Sequence, residues 1–465
     1  MTHWRGGIHC KLLALVLSLV LMVPILVACG RDEAEETTAA VTQTPAPTAS
    51  PKVTPNPTLT PTRTPTPVKI AIALSDKQRV TSPDVAASDL TDLVLGNSAF
   101  AFDLYQALST ADGNLFYSPY SISAALAMTY AGARGETEQQ MADTLHYTLP
   151  QDRLHPAFNA LDLELASRGK GAKGQDDKGF RLKIANALWG QQDYQFLTAF
   201  LDVLAENYGS GLNLLDFIKA PEESRITINN WVSNQTEGKI KDLIPPGVID
   251  DLTRLVLTNA IYFNAAWLHP FGTRPDNTFH LLDGSEVSVP MMVGLGSGYA
   301  SGEGYQAVEL SYQGNELSMV ILLPDAGQFE AFERRLDTQY VNTIISNIAY
   351  NDMVELSGMP KFKFESSFSL ANTLAAMGMP VAFSGAADFS GITGRQDLSI
   401  KEVLHKAFVS VDEAGTEAGA ATAIVVFPAS QAQLVVNVDR PFIFLIRDIK
   451  TGAIVFIGRV VDPSA

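Results

Sequence analysis

Seven histidines and two cysteines bound the chemistry open to this 465-residue chain. His3, His9, His146, His155, His269, His280 and His405 show no zinc-ligand spacing, and the cysteines, Cys10 and Cys29, both lie in the first thirty residues. A nucleophilic serine would need a base, and Ser118 or Ser390 could find one only in His405. No G-x-S-x-G elbow, H-E-x-x-H pair, P-loop or dinucleotide fingerprint occurs. Residues 168–178 are rich in Gly and Lys but lack the Gly-Lys-Ser/Thr ending of a phosphate cradle, so they read as a surface loop. These residue types point away from metal, cofactor and nucleophilic catalysis. The enzyme hypothesis therefore starts weak, and nothing in these residues calls for a cofactor.

The elements around them are those of an exported globular protein. Hydrophobic residues make up 46% of the chain and charged residues 18%, an ordinary globular mixture. A net charge of −17 repels phosphate backbones and argues against a nucleic-acid partner. Arg5 and Lys11 precede an almost unbroken apolar run at 12–27, interrupted by Pro24, which reads as a secretory signal. Its end, Leu26-Val27-Ala28-Cys29, resembles the lipobox of bacterial lipoproteins, in which the cysteine is lipidated. The alternatives are a plain secretory signal or an uncleaved anchor. Lipidation of Cys29 implies a membrane-anchored protein on the outer face of the cell membrane; without it the body is extracellular.

Three divisions are expected: a signal peptide at 1–28, a Thr/Pro-rich stalk at 29–90, and one large domain at 91–465. Between 37 and 67 there are 11 Thr and 8 Pro, a composition that keeps the chain extended and leaves little to bury. In the domain, Phe100, Leu104 and Leu108 recur at helical spacing. Ser118-Pro119 supplies an N-cap and a first-turn proline for a helix carrying Ile122, Leu126 and Tyr130 inward. Apolar runs at 255–263 and 317–323 read as strands buried on both faces. Runs at 441–447 and 453–460 flank a turn ending in Gly452, a hairpin signal. Helices first and strands mostly later give an α+β class.

An ordered series of segments is similar to the serpin family. It begins with Asn114-Leu-Phe-Tyr-Ser-Pro-Tyr-Ser-Ile-Ser-Ala-Ala-Leu-Ala-Met128 and Gly132-Ala-Arg-Gly-Glu-Thr137. Asn186-Ala-Leu-Trp189, Leu257-Thr-Asn-Ala-Ile-Tyr-Phe263, Trp267 and Pro270-Phe271 follow, then Val289-Pro-Met-Met292, Gln306-Ala-Val-Glu-Leu310 and Met359-Pro-Lys-Phe362. Gly378-Met379, Ala387-Asp-Phe-Ser-Gly391, His405-Lys-Ala407, Asp412-Glu-Ala-Gly-Thr-Glu417, Arg440-Pro-Phe442 and Gly458-Arg-Val460 complete the order. No single motif is specific; the set, in sequence across 91–465, is.

The resemblance implies a serpin fold, with three β-sheets, eight to nine helices and an exposed reactive-centre loop near the C-terminus. It also implies a suicide-substrate inhibitor of serine proteases. The protease attacks the loop and forms an acyl-enzyme, and the cut loop inserts as a new central strand that drags the enzyme along and distorts it. The hinge would comprise Glu413, Gly415, Thr416, Glu417, Ala418, Gly419, Ala420 and Ala421. These residues suit both a soluble loop and a buried strand. By strand alternation Thr416, Ala418, Ala420 and Thr422 share one face, and all are small, while Glu417 stays on the solvated face. Gly415 can supply unusual backbone geometry at the pivot. Inserting about ten residues makes ladder bonds worth ~1 kcal/mol net each.

Counting by the family pattern from Glu413 places the reactive bond at Ala429-Ser430, flanked by Phe427 and Pro428, with Ser430 the second candidate for the residue before the bond because the loop to Pro441 is about one residue longer than in familiar members. A small residue before the bond suits elastase-like or subtilisin-like proteases with shallow pockets. Ser118, Ser121, Asn259 and His405 match the family's shutter, the point under which the central strands part. Trp267, Lys361 and Glu413 match its breach, where Glu413 is expected to pair with Lys361 near Trp267. The expected partners are serine proteases, held covalently, and the membrane through Cys29; a monomer is expected. A non-inhibitory serpin acting as a binding or chaperone module is the second reading.

Overall fold

The computed structural model describes residues 66–174, 179–350, 354–416 and 434–465. The calls on Cys29 and on 1–65 therefore lie outside the described residues. In chain order the elements begin with β1 (Ala71–Ala73), α1 (Ala87–Leu108), β2 (Leu115–Tyr117), α2 (Pro119–Tyr130), α3 (Gly135–Leu145), α4 (Gln151–Ser167), β3 (Arg181–Gln191), α5 (Thr198–Tyr208), β4 (Leu212–Leu215) and α6 (Pro221–Gln235). A run of strands follows: β5 (Leu255–Ala266), β6 (Gly272–His280), β7 (Glu286–Gly296), β8 (Gly298–Gly302), β9 (Tyr305–Ser311) and β10 (Leu317–Pro324). Then come α7 (Phe329–Glu333), α8 (Thr338–Ser346), β11 (Val354–Pro360), β12 (Phe362–Ser369), α9 (Ala371–Met377), α10 (Ser390–Thr393) and β13 (Glu402–Val411). The last four strands are β14 (Gly415–Thr416), β15 (Leu434–Asn437), β16 (Phe442–Asp448) and β17 (Ile454–Val460).

This is the expected α+β class with three sheets. The largest has seven strands in the order β1-β4-β3-β5-β14-β13-β12; the others are β2-β17-β16-β10-β9-β8 and β15-β11-β7-β6. Two of the ten α-helices among the described residues, α7 and α10, are five and four residues long, which accounts for the excess over the eight to nine expected. No described helix is long and apolar enough to cross a membrane.

Chemistry of individual residues sets the elements around the site. Ser118 caps α2 by accepting the Ser121 N–H, and Pro119 opens the first turn. The expectation of one inward face on α2 is too modest: all twelve residues are buried, because sheets and helices surround it. Strand β5 is buried along its whole length. Leu257, Ile261 and Phe263 enter the main core on one face, while Val256 and Ala260 pack under α6 on the other. That two-sided burial explains its unbroken apolar run. The hairpin of β16 and β17 turns at Gly452, whose φ of 77° suits glycine.

The stalk boundary expected at residue 90 is too late. Strand β1 adds to the edge of the large sheet, Ala71 opposite Leu214 and Ala73 opposite Leu212. Val68 and Ile70 pack against the cluster beneath α6, and the Val68 N–H donates to Thr227 Oγ1 at 2.8 Å. Arg79 reaches Asn159 Oδ1 at 2.8 Å and Asp162 Oδ2 at 2.6 Å on α4. Proline density ends at Pro67, and the alternation of Val68, Ile70, Ile72 and Leu74 that follows has the period of a strand.

Candidate functional site

Three groups of residues meet along β5 and β13, the strand pair at the centre of the large sheet. In the lower part these strands pair directly and in parallel, from Glu402 opposite Val256 to Ala407 opposite Ile261. Higher up they part, and β14 lies between them. Gly415 is opposite Ala266 and Thr416 opposite Ala265 on β5, both antiparallel, while Thr416 is opposite Val411 on β13. The first rung of an additional central strand is thus already in place.

The turn that delivers this rung is fastened from several sides. The Asp412 N–H donates to Gly415 O at 3.0 Å, and Asp412 Oδ1 accepts the Ala414 N–H at 2.9 Å. The Trp267 N–H donates to Ala414 O, its indole N–H to Asp412 O, both at 2.9 Å, and the Phe271 N–H donates to Glu413 O at 2.8 Å. Lys361 Nζ lies 2.5 Å from Glu413 Oε1, with both side chains largely covered. The expected breach trio therefore assembles. Gly415 is required for a different reason from the one expected. Its φ is not positive; instead an added Cβ would lie 2.1 Å from Ala265 O, so the close approach of β5 excludes any side chain.

Beneath the parting point lies the shutter group. Asn186 on β3, Asn259 on β5 and His405 on β13 stand in register across three strands. The Ser118 N–H donates to His405 Nε2 at 3.2 Å, so the ring proton sits on Nδ1 and is donated to Asn259 Oδ1. Asn259 Nδ2 donates to Ser121 Oγ at 2.5 Å and to Asn186 Oδ1. Ser121 Oγ donates to Asn186 Oδ1, and Asn186 Nδ2 donates to the Ser121 backbone O, both at 3.1 Å. Burial holds the His405 pKa at about 3, well below the ordinary imidazole value, so the ring is neutral near pH 7. Phe368 stacks against it with ring centroids 6.2 Å apart.

This wiring does not make a catalytic pair of Ser118 and His405. His405 binds the backbone of Ser118, not its hydroxyl, which accepts the Ser121 N–H instead. Both residues are fully buried, and a ring held near pKa 3 is a weak base. Among the described residues no group of three or more His, Cys, Asp or Glu could hold a metal ion.

All four expected shutter residues come together, as do Glu413, Gly415 and Thr416 of the hinge. Glu417, Ala418, Gly419, Ala420 and Ala421, the flank Phe427 and Pro428, and the bond Ala429-Ser430 lie outside the described residues. Sequence reasoning missed Asn186 as a member of the network. The available signal was an amide set between the apolar Ile184-Ala185 and Ala187-Leu188-Trp189; its place opposite Asn259 appears only in the sheet. It also missed Tyr312, whose ring stacks on Trp267 at 4.6 Å and 10°.

A family model described as "Serpin (serine protease inhibitor)" matches residues 95–463. An uncharacterised serpin-like protein of Thermococcus kodakarensis is 40% identical over 375 residues, covering 79% of this chain and 85% of its own. The leukocyte elastase inhibitors of Sus scrofa and Homo sapiens are 40% and 39% identical over 80% of this chain and the whole of theirs. Among solved structures, the thermophilic serpin tengpin in its native state superposes with a TM-score of 0.74 at 28% identity, over 85% of this chain and all of that one. Uncleaved ovalbumin does so at 0.70 and 27%, over 80% of this chain and all of that one. With a family model spanning most of its length and relatives at this identity over nearly their whole sequences, the chain belongs to the serpin family.

Proposed function

We propose that the chain is an inhibitory serpin, which traps serine proteases by reactive-loop cleavage, acyl-enzyme formation and strand insertion. The observation that carries this reading is the seating of Gly415 and Thr416 between β5 and β13. Such a rung is where a further strand would enter, and the residues that follow in sequence, Glu417 to Ala421, include no proline and no bulky apolar side chain. The reactive bond is Ala429-Ser430, presented after Phe427 and Pro428, and the targets are elastase-like or subtilisin-like enzymes. Relatives named leukocyte elastase inhibitor support that choice. The protein acts as a monomer, exported and tethered to the outer face of the cell membrane through lipidated Cys29.

The test is incubation of the full chain with an elastase-type and a subtilisin-type protease, followed by a denaturing gel and mass spectrometry. The expected result is a denaturant-resistant complex of summed mass with release of the peptide beginning at Ser430. Clean cleavage without a complex would instead favour a binding or chaperone module. The anchor is tested by Cys29→Ala, which is expected to move the protein from the membrane fraction to the medium.

A further inference from the structure

Tyr312 stands just after β9, wholly buried, bridging to Trp267 and packed edge-on against Phe263 with centroids 5.1 Å apart. Its hydroxyl lies 2.7 Å from Thr416 Oγ1. Thr416 is itself only 2% exposed, so the two groups share a hydrogen bond sealed from solvent. We infer that Tyr312 is a positioning residue for strand insertion, seating Thr416 in the gap between β5 and β13 and thereby fixing the register of the incoming strand.

The physical case rests on what the alternative register would bury. Strand side chains alternate, so a slip of one residue exchanges the two faces. With Thr416 turned toward Tyr312, strand alternation would put positions 418, 420 and 422 on the same side of an inserted strand, and these are Ala, Ala and Thr. A slip by one would bring Glu417 against Tyr312 and the stacked Trp267, desolvating a carboxylate with no cation placed for it by that pair. The hydroxyl at 416 matches a buried phenol that would otherwise lose its partner. Tyr312 thus favours one register before any protease arrives, and the rung it holds is the one from which further pairing extends.

This inference deepens the inhibitory reading and rests on it. Its test uses the uncleaved full chain carrying Tyr312→Phe, which keeps the ring stack, Thr416→Val, which keeps the shape, both together, and Thr416→Ser. Amide hydrogen exchange of residues 411–416 is expected to quicken about five-fold in either single variant, the factor one buried neutral hydrogen bond is worth. It should quicken no further in the double variant and return toward wild type in Thr416→Ser. The number of inhibitor molecules consumed per protease trapped should rise in parallel. Unchanged exchange in Tyr312→Phe, or additive effects in the double variant, would overturn the proposal. A wild-type chain that traps no protease would sink the inhibitory reading, while the exchange data would still decide whether Tyr312 seats Thr416.

Discussion

His405 and Asn259 face each other across β5 and β13 and share a hydrogen bond between their side chains. These are the same two strands that separate higher up to admit Thr416. In the register set by Gly415 and Thr416, a strand long enough to reach Asn259 must break this bond, leaving His405 with the Ser118 backbone and Asn259 with Ser121 and Asn186. A buried network of this kind is stable in a closed sheet and must be rewired in an open one.

Replacing Asn259 with Ala leaves the His405 ring N–H without its acceptor, while Ser121 Oγ and Asn186 keep their bond to each other. Each buried polar group stranded this way costs about 1–3 kcal/mol. The urea midpoint of the uncleaved protein is therefore expected to fall sharply in Asn259→Ala, whereas Asn342→Ala, at an exposed position of α8, should leave it near wild type.

Acid sensitivity follows from two buried histidines. His405 is held at about 3 and His155 at about 4, both by burial, against 6.5 when exposed. Between those values the unfolded chain binds the protons and the folded one does not, so stability is full above about pH 6.5 and is lost as pH falls toward 3. Unfolding midpoints measured from pH 7.5 to 4 should decline in the wild type and decline less steeply in His405→Gln. A parallel slope in the two proteins would reject the role given to His405.

Gly415→Ala places a methyl group where Ala265 O already lies, at 2.1 Å. Backbone cannot yield as a flexible side chain can, so β14 should leave the sheet. Faster amide exchange at 411–416, with the exchange of β13 itself below Ala407 unchanged, is the expected signature.

The pair of Lys361 and Glu413 fastens the turn from the side, with the lysine side chain 30% exposed and the glutamate 11%. A double-mutant cycle with Lys361→Ala and Glu413→Ala should give a coupling of about 1 kcal/mol, smaller at high salt. Zero coupling at low salt would mean that the turn is held without this ion pair, by its bonds to Trp267 and Phe271 and those within it.

How much of this was legible in the sequence differs by element. Helix α2 announces itself through Ser118 and Pro119, and β5 through an apolar run that only a strand covered on both faces can carry. The pairing of Lys361 with Glu413 was readable through family resemblance, since nothing in the spacing of two residues 52 positions apart implies contact. Asn186 and Tyr312 escaped because their roles arise from register: one stands opposite Asn259, the other beneath Thr416, and cross-strand placement is a tertiary fact. Residues 68–80 were hidden by their neighbours, a proline-rich tract whose composition masked a short strand beginning just beyond it.

That short strand decides how mechanical load enters the protein. A pull applied from the N-terminal side does not reach α1 first. It arrives at the bond between Val68 and Thr227 on α6, then at the three rungs joining β1 to β4, and then at Arg79 and its partners on α4. Tension on a tether would therefore be spread across the flank of the large sheet, on the side of β5 away from the gap that holds Thr416.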